Sequence, residues 1–223
     1  GWFCMLNNIP FNFEFVDFLK GDHQKDSFKK ISPNGLIPAM KDDSCDVCIC
    51  ESNAILQYLA EKVNAETWFP TDPKTRAYVL QYLHWHHSNT RKFTTVLFKP
   101  FVLGVLGAGP VCDVPKATEE VTPALQKINE WLSGCEFLCG TSSPSIADLA
   151  CYCEIDQLKV FNLGKLENFP AIQAWIARME KLSSHEESHK GLNDLYASMK
   201  DKLQFCTFLH ANKLNNEPQN NEA

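Results

Sequence analysis

An Ile-Pro step, an acid-serine pair at the mouth of a helix and two groups of cysteine are where side-chain type and spacing in this sequence could do chemistry. Ile37-Pro38 lies in S-P-N-G-L-I-P-A-M (32–40). Proline has no N–H to give a ladder, so Pro38 closes a loop and opens a short strand, and its peptide bond is a candidate for the cis form. Glu51-Ser52 then precedes the apolar-periodic run Ala54, Ile55, Tyr58 and Leu59, with Ser52 placed as the N-cap of a helix. Free amides at a helix N-terminus favour an anion. Extended backbone ahead of Pro38 is free to pair with a peptide-like ligand, and Glu51 could hold an ammonium group. Together these describe a receptor for a small peptide with both an α-amino and an α-carboxyl group. The same residues also describe an ordinary β-hairpin and capped helix.

The cysteines and histidines do not make a metal site by spacing. Cys45, Cys48 and Cys50 form C-x-x-C-x-C, and Cys151 and Cys153 form C-x-C. Zinc asks for two properly spaced pairs. Strand alternation gives Cys48 and Cys50 a face that Cys45 does not share. They read as reduced structural thiols, with no metal bound. His84, His86 and His87 lack the i, i+4 spacing of a helical zinc pair and read as packing and solvent-facing residues.

The elements that must position these residues fall in two blocks. Phe11, Phe13 and Phe15 alternate with Asn12 and Glu14, which predicts a strand; Val47 and Ile49 alternate with cysteines, which predicts another. Trp2–Leu6 reads as the end of a helix already under way, so residues ahead of Gly1 are expected in a longer product. After the N-A-E-T-W-F-P-T-D linker the pattern is all helix. Tyr78, Tyr82, Trp85, Phe93 and Leu97 are expected on a core face, with Pro100 bending or ending that helix. Val102–Pro110, with three glycines, reads as a mobile lip or a helix bend. Val121, Leu125, Ile128 and Leu132 mark an amphipathic helix, Ser145-Ile146-Ala147-Asp148 a capping box, and Pro170 the start of a helix carrying Ile172, Trp175, Ile176 and Met179. The expected boundaries are 1–63 for the first domain, 64–73 for the linker, 74–205 for the helical domain and 206–223 for a disordered tail.

At 223 residues with 44% hydrophobic side chains the chain can bury a real core. Its net charge of −6 and lack of a basic run argue against nucleic acid and against a polybasic membrane contact. No apolar run is long enough to span a bilayer. Ten cysteines in a chain of this length need not be a disulfide scaffold. A cytoplasmic protein is expected.

N-N-I-P-F (7–11), F-L-K-G-D-H (18–23), G-L-I-P-A-M (35–40) and E-S-N-A-I-L-Q-Y-L (51–59) resemble the glutathione-binding half of a glutathione transferase, closest to the theta class, and the match continues to about residue 205. S-I-A-D-L (145–149) resembles the folding motif of that family's second domain. The resemblance implies an α+β fold: a thioredoxin-like domain lacking its first strand, then an all-α domain. Without that interior strand the Phe11–Asp17 strand lacks its main neighbour. The implied activity is attack of glutathione thiolate on small hydrophobic electrophiles, in a homodimer, with glutathione as co-substrate. By resemblance Ile37, ahead of Pro38, pairs its backbone with the cysteinyl unit. Glu51 and Ser52 grip the glutamyl ammonium and carboxylate, and His23 lies near the glycyl carboxylate. Leu36 stands where theta enzymes often have lysine, so one charge contact is lost. Arg91, in H-W-H-H-S-N-T-R (84–91), matches an active-site arginine that stabilises anionic leaving groups; a salt-bridged domain-contact arginine is the competing account. The theta-class serine that activates the thiol maps upstream of Gly1. A non-catalytic binding or lens-type protein is the alternative function, and a glutaredoxin-type redox enzyme a third.

Overall fold

The computed structural model describes residues 1–18 and 20–214, with 204–214 as backbone only. Helix α1, Trp2–Leu6, buries Trp2, Phe3 and Cys4. The chain then runs without helix or ladder to Asp17, with Phe13 79% and Phe15 78% exposed. The strand expected over Phe11–Asp17 is therefore absent from the described residues. Alternation gives a strand its two faces, but its amides and carbonyls hold only against a neighbouring strand, and the described sheet contains none for this segment. After the short helix α2, Asp26–Lys29, the sheet is a two-stranded antiparallel hairpin, β1 Ala39–Asp42 and β2 Val47–Cys50. Its register pairs Ala39 with Cys50 and Asp42 with Val47.

Helix α3, Ser52–Lys62, turns back from the hairpin and buries Asn53, Leu59 and Ala60. The Asn53 amide donates to the Leu83 carbonyl at 2.9 Å, which ties the first block to the helical one. The linker is packed down: Phe69 is buried, the Trp68 ring meets Phe3 edge-on at 6.0 Å, and the Ile146 N–H donates to the Trp68 carbonyl at 2.9 Å.

Helix α4, Pro73–Ser88, starts where the Asp72 carboxylate accepts the Thr75 amide and proline takes the first turn. It buries Val79, Tyr82, Leu83 and His86. Tyr78, expected in the core, is instead 49% exposed; at 3.6 residues per turn it falls off the stripe that Val79, Tyr82 and His86 define. The expected single long helix is broken at Asn89–Arg91, resumes as a π-helical turn over Phe93–Phe98, and gives way to α5, Lys99–Leu106. Pro100 sits in the first turn of α5, where its missing N–H leaves no gap. Gly107, at φ 70°, ends α5, and the returning chain lies against Gly104, where a Cβ would come within 3.0 Å of the Pro110 carbonyl oxygen.

Helices α6 (Val114–Leu132) and α8 (Pro170–Met179) bury the residues their spacing marked, Val121, Leu125, Ile128 and Leu132, then Ile172, Trp175, Ile176 and Met179, and α7 (Ile146–Val160) buries Ile146, Leu149 and Ala150. The capping box is formed: the Ser145 hydroxyl accepts from Ala147 N, and the fully buried Asp148 accepts from the Ser145 amide and hydroxyl, the Leu138 amide and the Trp175 indole. Helix α9, His185–Leu214, reaches into the stretch expected as a tail; 215–223 lies outside the described residues. One apolar core runs from Trp2 and Phe3 through Leu59 and Ala60 into α7. No helix among the described residues is long and apolar enough to cross a membrane.

Candidate functional site

The residues singled out in the first block converge on the open end of the β1–β2 hairpin. Ser32 is the peg of the incoming loop. It is fully buried, and its hydroxyl accepts the Leu36 amide at 3.1 Å and donates to the Leu36 carbonyl at 2.8 Å. Gly35, at φ 62°, packs so closely that a Cβ there would meet the His23 carbonyl oxygen at 2.8 Å. The His23 turn is thereby pinned beside the Leu36-Ile37-Pro38 backbone. The His23 ring stacks on Phe18 at 4.2 Å, and its Nδ1 is buried without a partner among the described residues.

The Ile37–Pro38 bond is cis. The Ile37 amide and carbonyl have no hydrogen-bond partner among the described residues, and the side chain is exposed. Because Ala39 pairs with Cys50, the antiparallel register brings Pro38 alongside Glu51. Glu51 is exposed, and its backbone takes φ 79° and ψ 113°. A non-glycine residue held there costs on the order of 1–3 kcal/mol, and such positions cluster at binding sites. Ser52, expected as N-cap, is instead the first residue of α3; Glu51 occupies the cap position and makes no side-chain cap bond. The strand runs to Cys50, so one residue must make the sharp turn into the helix, and the cap falls one position earlier. The first α3 amides are consequently left uncapped, next to the unpaired Ile37 backbone and a carboxylate. The arrangement offers an unpaired backbone edge, a helix N-terminus and an acid within one mouth, which suits a short zwitterionic peptide.

Arg91 stands apart from this group, in the break after α4. Its Nη1 donates to Glu154 Oε1 at 2.6 Å, and Thr94 donates to the other carboxylate oxygen. Glu154, on α7, is 5% exposed. Burial raises its pKa, while Arg91 and Thr94 pull it back. His86 Nε2 is 4.0 Å from the same carboxylate; burial holds this imidazole down to about 4, so it is neutral and not an ion-pair partner at neutral pH. His84 and His87 are exposed, as read from their spacing. No cluster of metal-ligating side chains occurs among the described residues.

Two clefts, of about 610 and 320 Å³, lie elsewhere. They flank Tyr78, Cys139 and Gly140 between α4 and the turn before α7, and none of His23, Leu36, Ile37, Pro38, Glu51, Ser52 and Arg91 lines them. Unlike these clefts, the hairpin mouth is where unpaired backbone, helix amides and a carboxylate converge. Sequence reasoning missed Ser32, Gly35 and Glu154. The S-P-N-G turn carried a trace of the first two. Glu154 lies 63 residues from Arg91 in the chain, and nothing local in the sequence joins them.

Two family models match: "Glutathione S-transferase, N-terminal domain" over residues 2–61 and "Glutathione S-transferase, C-terminal domain" over 92–183. Glutathione S-transferase T1 of Arabidopsis thaliana is 33% identical over 202 residues, covering 84% of this chain and 81% of its own. Glutathione S-transferase theta-2 of Rattus norvegicus is 32% identical over 197 residues, covering 86% of this chain and 80% of its own. The structure of human glutathione transferase theta-2 in complex with glutathione and an unknown ligand superposes with a TM-score of 0.75 at 30% identity, covering 90% of this chain and 84% of that one.

Proposed function

The chain belongs to the glutathione S-transferase family, its relatives here being of the theta class, and from that premise we propose that it holds glutathione at the hairpin mouth and joins it through its thiolate to small electrophiles. The fold is that family's thioredoxin-like first domain followed by its helical second domain. Glutathione is the co-substrate. Its thiolate is the nucleophile, and the sulfur–carbon bond forms as the electrophile's leaving group departs with the bonding electrons.

In this reading Ile37 presents its free amide and carbonyl to the cysteinyl unit, as the peptide strand of a β-addition does. Ser52 and the first α3 amides take the glutamyl carboxylate, and Glu51 takes the glutamyl ammonium. His23 faces the glycyl carboxylate. Leu36 brings no charge to that contact. Arg91 faces the electrophile and receives charge as it builds on the leaving group. Residues 1–63 form the glutathione-binding unit, 64–73 the linker and 74–205 the electrophile-binding unit. The reading carries a cytoplasmic homodimer with no nucleic-acid or membrane partner.

The observation that carries the reading is the strained Glu51 backbone, which leaves α3 uncapped beside an unpaired Ile37. Calorimetric titration with glutathione tests it. Ser52→Ala is expected to weaken binding by about tenfold, the worth of one hydrogen bond to a charged group. Glu51→Gly is expected to weaken it too while raising stability by about 1 kcal/mol, since glycine meets φ 79° without strain. Affinity unchanged in both variants would remove the assignment.

A further inference from the structure

We infer that Glu154 is the positioning residue for Arg91, a buried carboxylate that fixes the guanidinium so that its remaining donors face the electrophile. This rests on the reading of Arg91 as the group that receives leaving-group charge. Three observations carry it. First, the pair is asymmetric: the Arg91 side chain is 46% exposed while that of Glu154 is 7% exposed. The carboxylate belongs to the core and the cation reaches out from it. Second, one guanidinium nitrogen is spoken for. Nη1 is bound to Glu154, and Nε and Nη2 have no partner among the described residues. A planar guanidinium held by one nitrogen keeps its orientation and can still offer a fork to an anion.

Third, the carboxylate is itself fixed. Its second oxygen accepts from Thr94, at the head of the π-helical turn, and Arg91 lies in the helix interruption that precedes that turn. The Arg91 carbonyl also accepts the Thr95 amide at 3.1 Å and the Thr95 hydroxyl at 3.2 Å. The local distortion of the backbone thus brings Thr94 and Arg91 to the two oxygens of one carboxylate. An exposed arginine without such a partner would spread over many rotamers, and ordering it would oppose every turnover. A domain-contact salt bridge would join the two domains, but Arg91 and Glu154 both belong to the helical one.

The test uses the complete gene product with Glu154→Met, which keeps the volume and removes the acceptor, and Glu154→Gln, which keeps an acceptor without the charge. Arg91→Ala and the Arg91→Ala/Glu154→Met double variant complete the set. Turnover is measured with glutathione and an alkyl halide, normalised to folded protein. Arginine side-chain NMR of Arg91 gives a readout independent of turnover. Arg91→Ala should lower turnover by about 10²-fold, as for loss of one preorganised donor. Glu154→Met should lower it by about tenfold with glutathione affinity unchanged, Glu154→Gln should recover part of that loss, and the double variant should be no slower than Arg91→Ala. The Arg91 Nη resonances should be restricted in the parent and freely averaged in Glu154→Met. Normal turnover in Glu154→Met alongside a slow Arg91→Ala would overturn the positioning role and leave Arg91 its own. Additive losses, or an Arg91 guanidinium already averaged in the parent, would overturn it equally. Full turnover in Arg91→Ala with a lower melting temperature would remove the reading of Arg91, and the inference with it.

Discussion

His86 and Asp148 are single buried groups whose responses to acid oppose each other. Burial, with His87 and Arg91 nearby, holds the His86 imidazole down to about 4. The unfolded chain protonates it near its ordinary value of 6.5. Between those two pH values the unfolded state binds more protons, so stability falls as pH falls. Asp148 runs the other way. Burial pushes its carboxyl up to about 6, against the pull of its Ser145, Leu138 and Trp175 donors. Between 6 and the ordinary 3.8 the folded state takes the proton first, so acidification stabilises it. Each group is worth on the order of a few kcal/mol across its window, and the two act with opposite sign. Relative to the parent, His86→Leu should therefore gain stability as pH drops through this range, and Asp148→Asn should lose it. Urea midpoints at about pH 7, 5.5 and 4.5 check the signs, and three parallel curves would refute both.

At the scale of elements, Arg76 on α4 clamps the linker between its neighbours. Its guanidinium lies 4.1 Å from the Phe69 ring centre, its Nε donates to the Pro70 carbonyl at 2.7 Å, and its Nη1 meets Glu61, on α3, at 3.0 Å. The ring contact and the carbonyl bond are partly buried, whereas Glu61 is 57% exposed. Arg76→Ala should then cost about 1–2 kcal/mol. Glu61→Ala should stay within about 0.5 kcal/mol. Denaturant unfolding of the two variants separates the contributions, and equal losses would mean that the ion pair, not the clamp, holds the linker. What the sequence showed of such elements follows the range of the signal. The capping box at Ser145 and the stripes of α6 and α8 are local patterns, and the structure forms them. The Phe11–Phe15 alternation is just as local, but a strand also needs a partner that no nearby residue supplies. Ser52 was misplaced as a cap by one position because the turn into α3 is set by where β2 ends. The Arg91–Glu154 pair joins residues from the break after α4 and from α7, and no spacing rule reaches that far.

At the scale of the whole molecule, the two ends of the stability range lie in the two blocks. The core is continuous from α1 through α3 to α7, and α7 sits at its centre with Ile146, Ala147, Cys151, Tyr152, Ile155 and Leu158 wholly buried. Opening those amides requires breaking contacts with most of the other helices, so they should exchange only through global unfolding. The segment 11–16 is the opposite case. Among the described residues its amides have no hydrogen-bond partner, and four of its neighbouring phenylalanines, Phe11, Phe13, Phe15 and Phe18, are exposed. Its exchange should be close to that of an unstructured peptide even while α7 is fully protected. The hairpin should lie between these limits, since among the described residues β1 and β2 have each other and α3 but no further strand. Hydrogen exchange followed by mass spectrometry on the 223-residue chain reads all three regions in one experiment. Protection of the 11–16 amides comparable to that of α7 would contradict the open first block. It would mean that this segment pairs with a strand in solution, and the Phe11–Phe15 alternation would then have its ladder.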